Sequence, residues 1–279
     1  MILGPDRLVL LGHPVAQSLS PIFQNAALRS MHLTVSYEAL EVCEDAFAET
    51  IERLVAGHVA GNVTIPHKER MAAHCKRLTT DARRALAVNT FWVDSDGTLA
   101  GDCTDVGGFN ALARQVMGEI PSGARVALLG AGGAAAAVLT ALEGWVGCSV
   151  TLWNRSRERA EVLASRFDIV TGVVSSAADA AQGASVIVNA TSIGLLNNAH
   201  PVPVSDLQPS SAVIDLVYRN GGTAWVRAAR GRGLRASDGL PMLIEQGALA
   251  FERWFGLPAP RAVMLEAVSQ VPAAHGHRP

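Results

Sequence analysis

The stretch Arg125–Ala135, which reads RVALLGAGGAA, carries the strongest fold signal in this chain. Its first five residues are an apolar run typical of a buried strand, and Gly130 ends that strand. The alanine-rich residues after the loop predict a helix to about Glu143. The next apolar run, Ser149–Trp153, predicts a second strand. A strand, a loop, a helix and a strand in this order are typical of a parallel α/β sheet.

The glycine-rich loop matches the dinucleotide-binding fingerprint at Gly130, Gly132 and Ala135. In that fingerprint the first glycine permits a tight turn, and the second lets the backbone approach a pyrophosphate. The third small residue lets the helix pack closely on the strand. The alternative is a tight strand-to-helix turn that binds no ligand, because a glycine motif alone is a weak signal. The order of the surrounding elements favours nucleotide binding.

The end of the second strand indicates which dinucleotide is bound. An NAD-binding domain usually carries Asp or Glu there, for the ribose 2′-hydroxyl. Here the chain reads NRSRER over residues 154–159, with no acid at the tip and with Arg155, Arg157 and Arg159. The alternative is a solvated helix start, but cations in the first helical turn oppose the helix dipole. Because a guanidinium binds a 2′-phosphate well, the sequence favours NADP over NAD.

Strands alternate with helices along the rest of the chain, and we expect two α/β domains. Before the glycine loop, strands are predicted at 7–11, 34–40, 58–65 and 88–93. Helices are predicted at 21–31, with Ser20 as N-cap, at 45–57 and from Pro66. After the loop, a helix is predicted at 156–167, strands at 185–189 and 212–217, and a helix at 242–254. We expect residues 1–105 to form one open α/β domain, 106–240 a Rossmann-type domain, and 241–279 a helical segment that returns to the first domain.

Composition excludes several classes of function. The chain has 279 residues, a formal net charge of −2 and 5% aromatic residues, which argues against nucleic-acid binding. No apolar run reaches the ~18 residues of a membrane span, and the first residues lack the basic region of a signal peptide. The four cysteines form no CxxC pair and the histidines form no HExxH motif, so we expect no metal site. The separated cysteines indicate reduced thiols and a cytoplasmic protein.

Polar clusters follow or precede predicted strands of the first domain. They are SLS at 18–20, NVTIPHK at 62–68, VNT at 88–90 and GDCTD at 101–105. Singly, each has an ordinary explanation: Ser20 and Asp105 as helix caps, Asn62 as a turn residue, Lys68 as a surface charge. Together, at the strand ends of an α/β sheet, they fit a crevice for a polyhydroxylated ligand.

Taken in order, these motifs resemble the shikimate dehydrogenase family over nearly the whole chain. The matching elements are GHPVAQSLSP at 12–21, NVTIPHK at 62–68, AVNT at 87–90, GDCTD at 101–105, GAGGA at 130–134, NRS at 154–156 with Arg159, NATS at 189–192, and DGL at 238–240 with Gln246. The resemblance implies reversible, NADP-linked reduction of 3-dehydroshikimate to shikimate, in chorismate and aromatic amino-acid biosynthesis. It also implies that the first domain binds the substrate and the second binds NADP.

The resemblance assigns roles residue by residue. It implies that Lys68 and Asp105 are the catalytic pair that handles the proton. It implies that the substrate is held by Ser18, Ser20, Thr64, Asn89, Asp105, Tyr218 and Gln246. It implies that NADP is bound by Gly130, Ala131, Gly132, Gly133, Ala134, Asn154, Arg155, Ser156, Arg159, Leu216 and Gly239.

The chain departs from the family pattern at three positions, which leaves alternatives open. Cys103 stands where the family usually has Asn, Thr80 where some members have an acid near the cofactor, and Pro241 in place of a common Gly. Cys103 and Pro241 leave the choice of substrate open, so a quinate or aminoshikimate dehydrogenase on the same scaffold remains an alternative. A non-catalytic regulator that binds NADP or shikimate is another, but it has no need of a proton-transfer pair. The sequence leaves monomer and homodimer open.

Overall fold

The computed structural model describes residues 5–219 and 221–271, and its chain divides into two compact units. The first unit runs up to Gly108 and resumes at Leu243, and the second is Phe109–Met242. The predicted two-unit α/β fold is confirmed, and so is the return of the C-terminal segment to the first unit. Residues 272–279 of that predicted segment lie outside the described residues. Among the described helices, none has the length and apolar character of a membrane span.

The first unit is built on a six-stranded sheet with the strand order β2-β1-β3-β5-β6-β4. Its strands are β1 (Leu8–Gly12), β2 (Tyr37–Glu41), β3 (Ala60–Val63), β4 (Arg77–Leu78), β5 (Thr90–Val93) and β6 (Leu99–Asp102). Its helices are α1 (Ser20–Ser30), α2 (Phe47–Ala56), α3 (Lys68–His74), α4 (Thr80–Ala85), the start of α5 (Thr104–Met117), most of α10 (Leu240–Phe255), and α11 (Arg261–Ser269). Strand β5 is antiparallel to both of its neighbours, and the other pairs are parallel.

The second unit contains a six-stranded parallel sheet with the strand order β12-β11-β10-β7-β8-β9. Its strands are β7 (Arg125–Leu129), β8 (Ser149–Trp153), β9 (Val170–Val173), β10 (Val186–Asn189), β11 (Ala212–Asp215) and β12 (Arg235–Ser237). Its helices are the rest of α5, α6 (Gly133–Leu142), α7 (Arg157–Ala164), α8 (Ala177–Ala181) and α9 (Ala224–Gly231), with a 3₁₀ turn at Val204–Asp206. Central strands β7 and β10 are almost wholly apolar because helices cover a parallel sheet on both faces.

Some local predictions are wrong. Ser20 does not cap α1: the N-cap is Leu19, and Ser20 is already the first helical residue. The strands predicted at 34–40 and 58–65 are shorter than expected, because hydrogen bonding to the neighbouring strand β1 begins only at Tyr37 and Ala60. Helix α3 starts at Lys68 rather than at Pro66.

The C-terminal segment is attached to the first unit by side-chain hydrogen bonds as well as by packing. The Trp254 indole Nε1 donates to the Phe91 carbonyl oxygen at 3.2 Å, and Arg253 pairs with Asp102 at 2.8 Å. Helix α11 packs on α1. Residues from the two ends of the sequence therefore share one core.

Candidate active site

The predicted polar residues of the first unit gather at one edge of its sheet. Strands β1, β3 and β6 end at this edge, and β5, which runs in the opposite direction, begins there. Ser18 follows β1, Thr64 follows β3, and Asp105 lies just beyond β6. Asn89 immediately precedes β5. The reversal of β5 therefore brings an amide from the start of a strand beside carboxylate and hydroxyl groups from strand ends.

Lys68 and Asp105 form a close ion pair at this edge. The Lys68 Nζ donates to Asp105 Oδ2 at 2.8 Å, and the two side chains are 14% and 7% exposed. Lys68 is the first residue of α3, and Asp105 lies in the first turn of α5. A carboxylate in the first turn of a helix is also favoured by the helix dipole. The pair is thus held on two helix starts, with little room for water around it.

The pKa of Lys68 lies above its ordinary value. Burial is the largest single influence and lowers it, because a buried ammonium loses hydration. The charge of Asp105 and its hydrogen bond to Nζ raise it, with a further contribution from Cys103, and together these effects outweigh burial. Lys68 is therefore an ammonium at neutral pH, able to donate a proton to an oxygen atom placed beside it.

The Asn89 amide fixes the other side of Asp105. Its Nδ2 donates to Asp105 Oδ1 at 2.9 Å and to Gln246 Oε1 at 3.1 Å. Its Oδ1 accepts from the Thr104 backbone N at 2.8 Å and from the Thr104 hydroxyl at 3.1 Å. Because the Thr104 N–H is an obligatory donor, the amide has one possible orientation, with its nitrogen toward the carboxylate. Four residues assigned from the sequence, Lys68, Asn89, Asp105 and Gln246, are thus directly connected.

The predicted hydroxyl residues belong to both units and differ in burial. The Ser18 Oγ accepts from the Ser20 backbone N at 3.2 Å, which leaves the Ser18 hydroxyl hydrogen for another acceptor. Ser20 is buried, and Thr64 is half-buried at the end of β3. Tyr218 belongs to the second unit, where it follows β11 and is 2% exposed.

Two further side chains support this site, although the sequence assigned them no role. The buried Tyr37 hydroxyl donates to Asn62 Oδ1 at 2.8 Å, and Asn62 Nδ2 donates to the Asn89 carbonyl oxygen at 3.0 Å. Thr104 orients Asn89 through its backbone N–H and its hydroxyl. Tyr37 lies in an unremarkable strand, and Thr104 has the sequence signature of an ordinary helix start. Tyr37 carries no local signal for such a role, and Thr104 lies in the GDCTD motif at 101–105 but was given no task of its own.

The glycine loop of the second unit has the geometry that a pyrophosphate needs. Gly130 has a φ of +120°, and a Cβ there would lie 2.7 Å from the Ala190 carbonyl oxygen, so only glycine fits. Gly132 precedes α6 without a capping side chain, and a Cβ there would point into open space. Residues Ala131–Ala134 are half-exposed, and Ala135 is fully buried against the sheet. The loop thus leaves the first N–H groups of α6 accessible to an anion.

The tip of β8 presents the predicted polar and cationic groups. Asn154 Nδ2 donates to the Ser156 carbonyl oxygen at 2.8 Å, and Ser156 Oγ caps α7 by accepting from the Arg159 backbone N at 3.4 Å. Arg157 forms an ion pair with Glu161 at 2.7 Å. The exposed side chains of Arg155 and Arg159 have no such partner among the described residues. Two of the three predicted arginines therefore present unpaired guanidinium groups, which fit a 2′-phosphate.

Leu216 and Gly239, also assigned to the cofactor, lie side by side in the second unit. A Cβ on Gly239 would overlap the Leu216 carbonyl oxygen. The Gly239 backbone N donates to the Val217 carbonyl oxygen at 3.1 Å. Glycine is required here because the backbone after β12 passes so close to the backbone after β11.

Models of known families match three successive parts of the chain. Residues 10–91 match the shikimate dehydrogenase substrate binding domain, and residues 111–202 match shikimate/quinate 5-dehydrogenase. Residues 239–268 match the shikimate 5′-dehydrogenase C-terminal domain.

Individual relatives match over most of their length. A protein of Thermus thermophilus named shikimate dehydrogenase (NADP⁺) is 41% identical over 252 residues, which cover 90% of this chain and 93% of the relative. A protein of Rubrobacter xylanophilus with the same name is 43% identical over 276 residues, 95% of this chain and 96% of the relative. The crystal structure of shikimate 5-dehydrogenase from Thermus thermophilus in complex with NADP(H) and shikimate superimposes with a TM-score of 0.81 at 38% identity. It covers 94% of this chain and 97% of that one.

Proposed function

This chain belongs to the shikimate dehydrogenase family, and we propose that it catalyses the NADP-dependent, reversible reduction of 3-dehydroshikimate to shikimate. Such a reaction serves chorismate and aromatic amino-acid biosynthesis. The observation that carries the proposal is the buried Lys68–Asp105 pair, joined at 2.8 Å at a sheet edge rich in hydroxyl and amide groups. A chain that only bound its ligands would gain nothing from a buried proton donor in this position.

Lys68 handles the proton in this reaction. NADPH supplies the hydride when it is bound, and the ketone oxygen that becomes a hydroxyl must gain a proton. The Lys68 ammonium donates a hydrogen bond to that oxygen, polarises the carbonyl group and then transfers the proton. In the oxidation direction the neutral amine accepts the proton from the substrate hydroxyl. General acid–base catalysis of this kind contributes typically ~10²–10⁴-fold.

Asp105 has two tasks in the proposal. Its Oδ2 accepts from the Lys68 Nζ and so aims the ammonium group. It also stabilises the charged amine and provides an acceptor for a substrate hydroxyl. Because Asn89 holds Oδ1 in place, the carboxylate keeps its direction when a substrate enters.

The other proposed contacts follow the chemistry of the side chains. Ser18, Ser20, Thr64, Asn89 and Gln246, with Tyr218 from the second unit, hold the hydroxyl and carboxyl groups of the substrate. Residues Gly130–Ala134 bind the pyrophosphate of NADP, and Arg155 and Arg159, with Asn154 and Ser156, bind its 2′-phosphate. Leu216 and Gly239 contact the cofactor beside the glycine loop. Residues 1–105 and 241–279 thus bind the substrate, and residues 106–240 bind NADP.

Three broader expectations accompany this proposal. Four free thiols, at Cys43, Cys75, Cys103 and Cys148, support a reducing, cytoplasmic location. Because the proposed substrate and cofactor are small molecules, we expect the protein to need no nucleic-acid or membrane partner. Monomer and homodimer are both compatible with this proposal.

The proposal is tested by removing the Lys68 amine from the full chain. Lys68→Met keeps most of the apolar stem, so we expect kcat to fall by about 10²–10⁴-fold with little change in KM for shikimate. Asp105→Asn is expected to lower kcat and also to raise KM, because Asp105 aims the amine and binds a hydroxyl. Steady-state rates with shikimate and quinate, each with NADP and NAD, measure both effects and the substrate preference.

The chain offers a matched control, because its only other lysine is the exposed Lys76. Lys76→Met is expected to leave all rates unchanged. If Lys68→Met keeps kcat within a few-fold while KM rises strongly, Lys68 is a binding residue and the proton donor lies elsewhere. If quinate is turned over better than shikimate by the wild type, the proposed substrate is wrong.

A further inference from the structure

A buried polar cluster joins two neighbouring strands of the second unit at their carboxyl ends. Asn189 ends β10 and Asp215 ends β11, and the two residues are register partners in the parallel pair. Both are fully buried. Asn189 begins the NATS motif, to which the proposed function gives no task, and Asp215 carries no role at all.

Asp215 accepts hydrogen bonds from three different parts of the chain. Its Oδ1 accepts from Asn189 Nδ2 at 2.8 Å and from the Val217 backbone N at 3.1 Å. Its Oδ2 accepts from the Thr223 hydroxyl at 2.8 Å. Thr223 is the N-cap of α9, so the carboxylate ties the end of β11 to the next helix and to the neighbouring strand.

The Asn189 amide is held in one orientation by its own partners. Its Nδ2 also donates to the Ile193 carbonyl oxygen at 3.2 Å, and its Oδ1 accepts from the Thr191 backbone N at 3.1 Å. A carbonyl oxygen only accepts and a backbone N–H only donates, so the nitrogen must face Asp215. The amide is therefore a fixed donor to the carboxylate.

The segment that Asp215 holds is Leu216–Arg219, which contains two residues of the proposed site. The Leu216 backbone N donates to the Asn189 carbonyl oxygen at 2.9 Å, and the Val217 N donates to Asp215. At the far end, the Arg219 backbone N donates to Asp238 Oδ2 at 3.2 Å. Gly239, which follows β12, packs directly against the Leu216 carbonyl oxygen. The segment is thus clamped by buried carboxylates, one at each end.

If Asp215 served only to fill space, a carboxylate would lower the stability of the fold, because burying a charged group costs free energy. Burial raises the pKa of Asp215 to about 6, because an ionised group in the interior loses its hydration, although its hydrogen bonds lower the pKa again. An apolar side chain would fill the same space without this cost. The carboxylate supplies something an apolar residue lacks: acceptors aimed at three donors at once.

We propose that Asp215, oriented by Asn189, is a positioning residue for the reaction: it holds the segment Leu216–Arg219 so that Leu216 meets the cofactor and Tyr218 meets the substrate. The inference rests on the proposed function, which assigns those two contacts. Asp215 touches neither ligand itself, since its side chain is enclosed by protein. Its effect on the reaction passes entirely through the backbone of Leu216–Arg219.

The test compares Asp215→Ala with Asp215→Asn in the full chain. Asp215→Ala removes every acceptor, so we expect the KM values for NADP and for shikimate both to rise about tenfold or more, as for a small misplacement of binding groups. Asp215→Asn keeps an oxygen that accepts from the Val217 N and the Asn189 amide. Both KM values of this variant are therefore expected to stay within about threefold of wild type. Thr223→Val, which removes one donor and keeps the shape, is expected to raise both KM values to a smaller extent, and it replaces Asp215→Ala if that variant does not fold.

A matched control separates positioning from general destabilisation. Asp179 caps α8 in the same unit through a capping box with Ser176, away from the clamped segment. Asp179→Ala is expected to lower the unfolding temperature without changing either KM. If Asp215→Ala or Thr223→Val does the same and leaves both KM values at the wild-type level, the inference is overturned. If the wild type itself does not oxidise shikimate with NADP, the proposed function fails first, and the two failures are distinct.

Discussion

Lysine is rare in this chain: of its 23 lysines and arginines, only Lys68 and Lys76 are lysines. The difference matters at position 68. An arginine keeps its proton at any physiological pH, so it would preserve the ion pair with Asp105 but could not pass a proton to a substrate. A lysine carries the same charge and is able to release the proton, which is the property that the proposed reaction needs.

Arg155 is expected to select NADP over NAD. Its exposed guanidinium has no ion pair among the described residues, whereas the nearby Arg157 is neutralised by Glu161. Arg155→Ala should raise the KM for NADP by about tenfold or more, because a charge-assisted hydrogen bond to the 2′-phosphate is lost. The KM for NAD, which has no 2′-phosphate, should stay almost unchanged. Steady-state kinetics with both cofactors measure the difference. Arg157→Ala is the matched control, and an equal loss with both cofactors in Arg155→Ala would contradict the assignment.

Cys103 is expected to shape its surroundings without redox chemistry. The thiol is 1% exposed and lines a cavity of about 420 Å³ together with Asp102 and Thr104. Burial, and then the charge of Asp105, hold the pKa of Cys103 well above its ordinary value, so it is a protonated and unreactive thiol. Cys103→Ser should keep turnover within a few-fold, and Cys103→Asn should change mainly the ratio of shikimate to quinate activity.

Alkylation of the native protein gives an independent measurement for Cys103. An iodoacetamide label followed by peptide mass analysis should modify the exposed Cys43 and spare Cys103. Rapid labelling of Cys103, or abolished turnover in Cys103→Ser, would instead indicate a reactive thiol.

At the scale of elements, the site depends on the residues just beyond the strand ends. The ends of β1, β3 and β6 supply polar groups of the first unit. The ends of β11 and β12 supply the two carboxylates that clamp Leu216–Arg219, and the end of β10 supplies the amide that orients Asp215. Parallel strands place these ends along one edge of each sheet. Backbone N–H and C=O groups just beyond the strand ends have no inter-strand hydrogen bond and need other partners. A buried acid such as Asp215 provides such partners and makes the stability of its strand end depend on pH.

Asp215 is expected to make the second unit less stable as pH rises. Its pKa in the folded protein is about 6, against an ordinary value of 3.8. A raised pKa means that the folded state binds the proton more tightly than the unfolded state. This stabilisation is full below about pH 4 and is lost as pH rises through about 6, with a total difference on the order of 3 kcal/mol.

The measurement is the free energy of unfolding by urea from pH 4 to pH 7, for wild type and for Asp215→Asn. The difference between the two proteins isolates this carboxyl group from the other acids. The wild type should lose stability relative to Asp215→Asn as pH rises from 4 through 6, and the loss should level off at about pH 7. A difference that is constant over the whole range would show that the carboxyl group has an ordinary pKa.

At the scale of the whole molecule, the first unit is assembled from two pieces of chain. Residues up to Gly108 provide its sheet, and residues from Leu243 provide helices that complete its core. Gln246, which bonds to Asn89, arrives on the second piece. Folding of this unit therefore requires the whole intervening chain to be made before the last helices dock.

Trp254 is expected to be the main anchor of that docking. It is 3% exposed, its ring lies 6.1 Å from that of Tyr37, and its Nε1 donates to the Phe91 carbonyl oxygen. Trp254→Ala should lower the free energy of unfolding by about 3–5 kcal/mol, the usual cost of emptying a buried aromatic site. Urea unfolding followed by circular dichroism measures the loss. Trp92→Ala removes a half-buried tryptophan from β5, the strand that contains Phe91. An equal loss of unfolding free energy in that variant would argue against a special role for Trp254.

Features that rest on local rules were predictable from the sequence alone. Strands β7 and β8 were predicted with their observed limits, because an apolar run bounded by turn residues defines a buried strand. The glycine loop was predictable because a positive φ and a close backbone approach admit only glycine at Gly130. The two-residue β4 and the five-residue α8 were missed, because elements this short show no periodicity.

The connections and charge states of the site emerged only in three dimensions. Lys68 and Asp105 are 37 residues apart and Asn89 and Gln246 are 157 apart, so no local pattern reports their hydrogen bonds. A sequence alone does not determine whether the pKa of Lys68 is raised or lowered, because burial and a neighbouring carboxylate act in opposite directions. The structure resolves it, since a carboxylate in direct contact with the ammonium outweighs the loss of hydration. No local pattern indicated a role for Asp215, because its hydrogen-bond partners are also separated along the chain. They lie at the end of β10, in the turn after β11 and at the N-cap of α9.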